Sequence, residues 1–246
     1  MKGINSTDLT KRRAKEESEN LLTRGASPID DPSMRRWITN IIKNGESVYL
    51  MTDFHLYKRK HKGSNQCVKR SDFDLIMNRV RNIPETDLLI YLGDLVDGEF
   101  TDAKEVIKEF KDVKCNRIIT RGNNDLFTYG QYRDMGFKYV VYSFIYDNII
   151  FSHCPIRIDS DNMTNIHGHL HSTEQRPPTY WIPYKNMIDI SYIGGRTKPI
   201  LLQDALKSIK SYKKIISEDP THFNESCDVF DMINNEYLYD IDPYDD

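Results

Sequence analysis

Residues 87–94 read DLLIYLGD, a short apolar run that ends on a glycine and an aspartate. A run of this length between turn residues predicts a buried strand. The same pattern occurs earlier, at Val48–Thr52 before Asp53, and later, at Arg117–Thr120 before a loop that contains Asn123. Ligands in open α/β sheets bind beyond the carboxyl ends of the strands. The three strand ends therefore predict one common site.

Helical periodicity occupies the segments around these strands. Asp31 and Pro32 predict a helix start, because the carboxylate caps free N–H groups and proline is tolerated at the first helical position. Ser71 and Thr101 are predicted to cap two further helices. The first helix has one apolar stripe, formed by Met34, Trp37, Ile38, Ile41 and Ile42.

The second half of the predicted domain is richer in strands. Its predicted elements are strands at 139–146, 149–152, 164–167 and 187–193, and a final helix at 204–216. This mixed order of elements indicates an α/β fold with two sheets face to face, one of them covered by the early helices.

Charge is distributed unevenly along the chain. The segment Ser217–Asp246 has ten acidic residues and no Lys or Arg, which leaves 34 basic and 27 acidic residues in the preceding 216. The first 30 residues are highly charged, with one short helix predicted at 7–22. We therefore expect a charged N-terminal arm at 1–30, one domain at 31–216 and an acidic C-terminal tail at 217–246. The tail is expected to be solvated, with docking on the basic body as the alternative.

The composition argues against several classes of protein. No apolar run approaches the roughly 20 residues that span a bilayer, and the N-terminus is too polar for a secretory signal. The four cysteines lie far apart and form no CxxC pair, which argues against a disulfide framework and a zinc ribbon. We expect a cytoplasmic protein without a membrane partner. Its oligomeric state stays open.

Seven side chains that can bind metal ions occur in five short segments. They are Asp53, His55, Asp94, Asn123, His153, His169 and His171. Such a set of ligands suits hydrolysis of a phosphate ester, a reaction that faces two problems. A negatively charged phosphate ester repels hydroxide, and water at neutral pH is a poor nucleophile. Two divalent ions about 4 Å apart address both problems, because they lower the pKa of a water and neutralise the ester oxygens. Asp94, presented after Gly93, is the candidate for a carboxylate that touches both ions.

Each segment alone has a simpler interpretation. The first two also occur in ordinary turns, and His153 alone would be a satisfied core histidine with Cys154 as a small buried neighbour. The stretch GHLH at 168–171 is the strongest single piece, with a chance histidine cluster or a mononuclear zinc site as its alternatives. The ordered combination favours the two-ion site.

The ordered segments resemble the calcineurin-like metallophosphoesterase family. The family pattern is DxH, GD, GNH followed by D or E, a lone His, and GHxH. The chain has, in the same order, DFH at 53–55, GD at 93–94, GNND at 122–125, His153 and GHLH at 168–171. The resemblance covers about residues 47–200. It implies a four-layer α/β/β/α sandwich, in which helices flank two mixed sheets. It also implies two ligand sets, one of Asp53, His55, Asp94 and His171, the other of Asp94, Asn123, His153 and His169.

Position 124 departs from the family pattern. The usual histidine there is taken to stabilise the transition state or protonate the leaving oxygen, whereas the amide of Asn124 cannot supply a proton. Asp125 corresponds to the residue that orients that histidine, and is expected here to hold the loop or Asn124. A branch of simple phosphodiesterases also lacks the histidine. The departure therefore favours phosphodiesters, or esters with good leaving groups.

A basic loop follows the first ligand pair. Residues 57–70 include six Lys or Arg and no acid. The simpler interpretation is a solvated loop tip, and the functional one is a surface that binds phosphates beside the cut bond. His61 in this loop is a candidate for the missing acid. Arg121 either contacts a phosphate oxygen or pairs with an acid. The substrate-binding candidates are thus Arg59, Lys60, Lys62 and Arg121.

Together these features predict a dimetal-dependent phosphoesterase. We expect a phosphodiesterase in which metal-activated water attacks a nucleotide-type or single-stranded nucleic-acid diester, with Mn²⁺ preferred and iron, zinc or nickel as alternatives. The predicted catalytic residues are Asp94, Asn124, Asp125 and His61. A non-catalytic binding scaffold, a phosphomonoesterase and a protein phosphatase remain as alternatives. The last of these fits less well, because GDLVDG at 93–98 lacks the arginine that follows the second aspartate in that branch.

Overall fold

The computed structural model describes residues 28–56, 70–96, 103–125, 127–156, 160, 162–171, 186–191 and 193–208. The predicted helix at 7–22, the basic residues at 57–69 and the acidic tail lie outside these ranges. The division of the chain into arm, domain and tail therefore remains a prediction. Within the described ranges, no helix is both long and apolar enough to cross a bilayer.

The first sheet has four parallel strands and one short antiparallel strand at its edge. Its strands are β1 (Val48–Met51), β2 (Leu88–Tyr91), β3 (Asn116–Thr120), β4 (Tyr139–Val141) and β9 (Ile200–Leu201). They lie in the order β4–β3–β2–β1–β9, and only the pairing of β9 with β1 is antiparallel among them. Because β1, β2 and β3 are parallel, their carboxyl ends meet at one edge.

The second sheet is also mixed. Its strands are β5 (Ser143–Tyr146), β6 (Ile149–Ser152), β7 (Thr164–His167) and β8 (Met187–Asp189). They lie in this order, with β5 antiparallel to β6 and the other pairs parallel. Ser152 and His167, which end β6 and β7, are followed directly by two of the predicted ligand segments.

Three of the four named helices cover the outer face of the first sheet. The named helices are α1 (Pro32–Lys43), α2 (Arg70–Arg81), α3 (Ala103–Phe110) and α4 (Tyr129–Asp134), and residues 202–208 are also helical. One apolar cluster joins α2, α3 and α4 to β1, β2 and β3 through side chains that include Phe73, Val106, Tyr132, Met51, Tyr91 and Ile119.

The inner face of the first sheet packs against the second sheet. This second apolar cluster includes Leu50, Ile90 and Ile118 from the first sheet, Phe144, Phe151 and Ile166 from the second, and Met34 and Ile38 from α1. Burial of both faces explains why β1, β2 and β3 are continuous apolar runs rather than alternating ones. The structure confirms the expected sandwich of two mixed sheets flanked by helices.

Several predicted elements were wrong in detail. The predicted strand at 139–146 is two strands, β4 in the first sheet and β5 in the second, because the chain changes sheets at Tyr142. The predicted strand at 187–193 ends at Asp189, where the side-chain Oδ1 accepts a hydrogen bond from the Ser191 N–H and closes a turn. Helix α4 and strand β9 were not predicted, since both are too short to show a period.

The helix boundaries also shift. Asp31 does cap α1, since its Oδ1 accepts hydrogen bonds from the N–H groups of Ser33 and Met34. Ser71 lies inside α2 rather than at its cap, and the last helix begins at residue 202 instead of 204. Ile42 is 38% exposed because the buried stripe of α1 ends at Ile41.

Candidate metal centre

The loops that leave β1 and β2 run side by side. Main-chain hydrogen bonds join the Asp53 N–H to the Gly93 carbonyl at 3.0 Å and the His55 N–H to the Asp94 carbonyl at 2.9 Å. The parallel register of the two strands, in which Met51 pairs with Tyr91, sets this alignment. The side chains of both loops therefore emerge at the same place on the sheet edge.

Strained backbone is concentrated at this edge. Five of the six non-glycine residues with positive φ in the described ranges are predicted ligands: Asp53, His55, Asp94, His169 and His171. Such conformations cost about 1–3 kcal/mol each and persist where the surrounding structure fixes them, commonly at functional sites. These backbone conformations orient the ligand side chains toward one place.

Four of the predicted ligands form a first group. His171 Nε2 lies 3.3 Å from Asp53 Oδ1 and 2.9 Å from His55 Nε2. His55 Nε2 in turn lies 3.4 Å from Asp94 Oδ2. One ligand atom from each of these four residues lies within 4.8 Å of all the others.

A second group adjoins the first through Asp94. His153 Nε2 lies 3.1 Å from Asn123 Oδ1, 3.2 Å from His169 Nδ1 and 3.3 Å from Asp94 Oδ2. Cys154 is buried, as expected, and its thiol lies within 4.8 Å of ligand atoms of His153 and His169. The structure thus brings all seven predicted ligand residues together, with one oxygen of Asp94 contacting both groups.

The donor chemistry fits divalent ions. Imidazole nitrogens face each other in two pairs, His55 with His171 and His153 with His169, and each such pair can share at most one proton. A cation between these nitrogens and the buried carboxylate oxygens beside them would be bound by both. Imidazole, carboxylate and amide oxygen together suit manganese, iron, zinc or nickel.

Three glycines allow the ligands to approach the backbone. A Cβ on Gly93 would lie 2.6 Å from the His153 ring, and one on Gly122 would lie 2.0 Å from Asp94 Oδ1. A Cβ on Gly168 would lie 2.6 Å from Asp53 Oδ2. Each distance is far below van der Waals contact, so side chains at these positions would displace ligand atoms. The glycines of three sequence motifs therefore have a steric cause.

Residues 47–229 match the family model of the calcineurin-like phosphoesterases. The chain belongs to the calcineurin-like phosphoesterase family. These metallophosphoesterases use a dinuclear metal centre, and the Asp and His cluster of this chain lies within the matched region. A search of curated proteins finds no significant match.

Two solved structures resemble the fold of this family member. AQ665, a protein of unknown function from Aquifex aeolicus, is 20% identical with a TM-score of 0.50, over 66% of this chain and 99% of that one. The nuclease MPE of Pseudomonas putida is 18% identical with a TM-score of 0.38, over 51% of this chain and 62% of that one. The first likeness shows the fold alone. The second likeness is too distant to support a conclusion about this chain.

Burial and mutual attraction compete at the two carboxylates. Burial would raise the pKa of Asp53, but the charges of His171 and His153 hold it below its usual range. Burial would likewise raise the pKa of Asp94, and His153 and His55 hold it well below that range. Both side chains are therefore anionic, as a cation site requires.

The pKa values of the two imidazoles in the second group shift in opposite directions. Burial would lower the pKa of His153, but the charge of Asp94 raises it to about 10. Burial and the charge of His153 lower the pKa of His169 to about 3. One imidazole of the pair therefore holds a proton in the metal-free protein, and the other is neutral.

Asp125 fixes the backbone around Asp94. Its Oδ2 accepts hydrogen bonds from the N–H groups of Asp94 and Gly122, both at 2.8 Å, and its Oδ1 accepts one from Leu95 at 3.0 Å. Asn124 instead contacts the Asp94 carboxylate directly. Of the two expected tasks for Asp125, holding the loop is the one that these contacts support.

Of the predicted substrate-binding residues, the structure describes only Arg121. The Arg121 guanidinium lies 5.4 Å from the Tyr129 ring centroid and 5.5 Å from that of Tyr142. It donates to the Asp125 main-chain carbonyl at 2.7 Å and to the Tyr142 hydroxyl at 3.3 Å. These contacts stabilise the 122–125 turn, and a phosphate contact by Arg121 remains a prediction. The remaining candidates lie outside the described residues: Arg59, Lys60, Lys62 and His61.

One arginine beside the centre was missed by sequence analysis. Arg196 lies in the turn before β9, and its Nε donates to the Asp53 main-chain carbonyl at 3.3 Å. The Thr52 N–H donates to the Gly195 carbonyl at 3.2 Å and fastens this turn to the end of β1. The signal was the basic triplet RTK at 196–198 after two glycines. Only the tertiary fold brings that triplet next to Asp53.

In the metal-free protein, the two shifted imidazoles should together contribute most to stability near pH 6.5. The raised pKa of His153 contributes stability that is present below about 6.5 and lost as the pH rises toward about 10. The lowered pKa of His169 contributes stability that is lost as the pH falls from about 6.5 toward about 3. Urea unfolding of chelated protein should show about 1–2 kcal/mol less stability at pH 8 than at pH 6.5. In His153→Gln this alkaline loss should disappear. Equal stability at both pH values in the native sequence would contradict the assignment.

Tyr91→Phe should destabilise the first ligand loop. The Tyr91 hydroxyl accepts a hydrogen bond from the buried Phe54 N–H at 2.8 Å, between the two ligands of that loop. Its loss leaves a buried donor unsatisfied and should lower the free energy of unfolding by about 1–3 kcal/mol. Tyr49→Phe, on the neighbouring strand, is the matched control and should change it by less than about 0.5 kcal/mol. Equal effects of the two substitutions would show that the hydrogen bond does not position the loop.

Proposed function

We propose that this chain is a dimetal-dependent phosphodiesterase that hydrolyses a nucleotide-type or nucleic-acid phosphodiester. The observation that carries the proposal is the position of Asp94 Oδ2, which lies 3.4 Å from His55 Nε2 and 3.3 Å from His153 Nε2. A carboxylate oxygen between two groups of ligands is what a pair of ions sharing one ligand requires.

The proposed ligand sets follow the two groups of contacts. The first set is Asp53, His55, Asp94 and His171, and the second is Asp94, Asn123, His153 and His169. We propose Mn²⁺ as the ion, with iron, zinc and nickel as alternatives, because the donors mix oxygen and imidazole nitrogen. When bound, such ions supply a nucleophilic water at neutral pH and neutralise charge on the ester oxygens.

Hydrogen bonds within the protein hold the ligand residues in place. Asp53 receives hydrogen bonds from the His169 N–H at 3.2 and 3.0 Å, which ties the β7 loop to the β1 loop. His153 Nδ1 lies 2.8 Å from the Leu92 carbonyl, which fixes its ring and directs Nε2 into the centre. The ligands are therefore preorganised by contacts that do not depend on the substrate.

Positive charge near the centre supports an anionic substrate that has more than one phosphate, such as a nucleic-acid strand. Arg196 is held at the Asp53 carbonyl, at the edge of the first group. We propose that it acts with Arg59, Lys60, Lys62 and Arg121 to bind phosphates next to the cut bond. His61 of the basic loop remains our candidate for the missing acid. The site of action we propose is the cytoplasm, in keeping with the buried thiol of Cys115.

A panel assay tests the proposed activity. Chelated protein supplied with Mn²⁺ should hydrolyse an aryl phosphodiester and one or more of cyclic nucleotides, nucleotide diesters and single-stranded nucleic acid, faster than monoesters. Asp94→Asn should lower kcat by about 100-fold or more, because an amide cannot serve as a shared anionic ligand. Asn40→Ala on the exposed side of α1 should match the native sequence. Bound manganese without hydrolysis of any ester would favour the binding scaffold, and faster monoester turnover would favour a phosphomonoesterase.

Arg196→Ala should weaken substrate binding more than turnover. If its guanidinium binds a phosphate group of the substrate, KM for a nucleic-acid diester should rise about tenfold, with a smaller change for a small aryl diester. Lys198→Ala, two residues away on the exposed part of the turn, is the matched control. An equal effect on both substrates would indicate that Arg196 only supports the Asp53 loop.

A further inference from the structure

We propose that Asn124 is a positioning residue for the Asp94 carboxylate, and not a group that acts on the leaving oxygen. This inference rests on the proposed function, since it assigns a task within the same centre. Its basis is that the main-chain N–H and the side-chain amide of Asn124 each donate to a different oxygen of the Asp94 carboxylate.

The contacts form a two-point clamp. The Asn124 main-chain N–H donates to Asp94 Oδ1 at 2.9 Å, and the side-chain Nδ2 donates to Asp94 Oδ2 at 2.8 Å. Rotation of an aspartate carboxylate about the Cβ–Cγ bond is otherwise only loosely restricted. Two simultaneous donors on opposite oxygens fix that rotation. The clamp therefore sets the plane of the carboxylate whose Oδ2 lies between His55 and His153.

Asp94 depends on its neighbours for its position, because its carboxylate is buried and its backbone is strained. It is 1% exposed and has a φ of 52°, in the left-handed region that aspartate adopts at a cost. Asp125 holds its main-chain N–H, as described above, and Asn124 holds its carboxylate. Two adjacent residues of one turn thus control the two ends of Asp94.

The same geometry limits what Asn124 does for the substrate. One N–H of the Asn124 side-chain amide is engaged by Asp94 Oδ2, and an amide has no proton to transfer at neutral pH. A leaving oxygen then has to depart with the help of solvent or of a group other than Asn124. This favours diesters with stable leaving groups over simple alkyl monoesters.

Manganese titration in the absence of substrate tests the clamp. Asn124→Ala and the similarly sized Asn124→Leu both remove the side-chain donor and keep the main-chain N–H. Each should weaken binding of Mn²⁺ to chelated protein by about 10- to 100-fold, as expected when a residue that orients a ligand is removed. Asn124→His keeps an N–H donor at the δ position and should restore most of the affinity. Asn40→Ala is the control for amide removal at an exposed site.

Activity measurements separate the clamp from a direct role. With Mn²⁺ at saturation, the Ala and Leu variants should regain most of their turnover, equally for aryl diesters with good and poor leaving groups. Native protein that binds two ions, together with variants of unchanged affinity, would overturn the clamp and leave the proposed function intact. A loss confined to poor leaving groups would also overturn it. Native protein that binds no manganese would overturn both.

Discussion

Two carboxylates buried at one edge of the first sheet constrain everything around them. Asp53 and Asp94 have 0% and 1% of their surface exposed, and each would cost several kcal/mol if it were charged without partners. Parallel pairing of β1 with β2 places them side by side, so their repulsion must also be offset. Imidazoles, main-chain N–H groups and the Asn124 amide supply that compensation. The strained backbone and the closely packed glycines follow from gathering so many donors in one place.

Much of this architecture was predictable from local patterns. The strands before Asp53, Asp94 and Asn123 are short apolar runs that end on turn residues, and the ligand segments keep a fixed order. The change of sheet at Tyr142 was not predictable, because YVVYSFIY at 139–146 has no break in its β pattern. The proximity of Arg196 to Asp53 could not be predicted either, because it depends on how a distant turn attaches to β1.

The single departure from the family pattern illustrates the limit of motif analysis. As a sequence, Asn124 is a missing histidine, and the substitution suggests only that a proton donor is lost. In the structure the same amide bonds to the carboxylate that joins the two groups of ligands. The position therefore retains a task within the centre even though its acid chemistry is absent. The activity that we propose therefore relies on charge neutralisation and positioning, and takes no proton from Asn124.

Anomalous diffraction at the manganese edge, from crystals soaked in Mn²⁺, tests the central claim most directly. The account predicts two peaks about 3.5–4 Å apart, with Asp94 Oδ2 coordinated to both. The Asn124 amide should remain on that carboxylate. A single peak in either group, or two peaks that share no oxygen of Asp94, would contradict it.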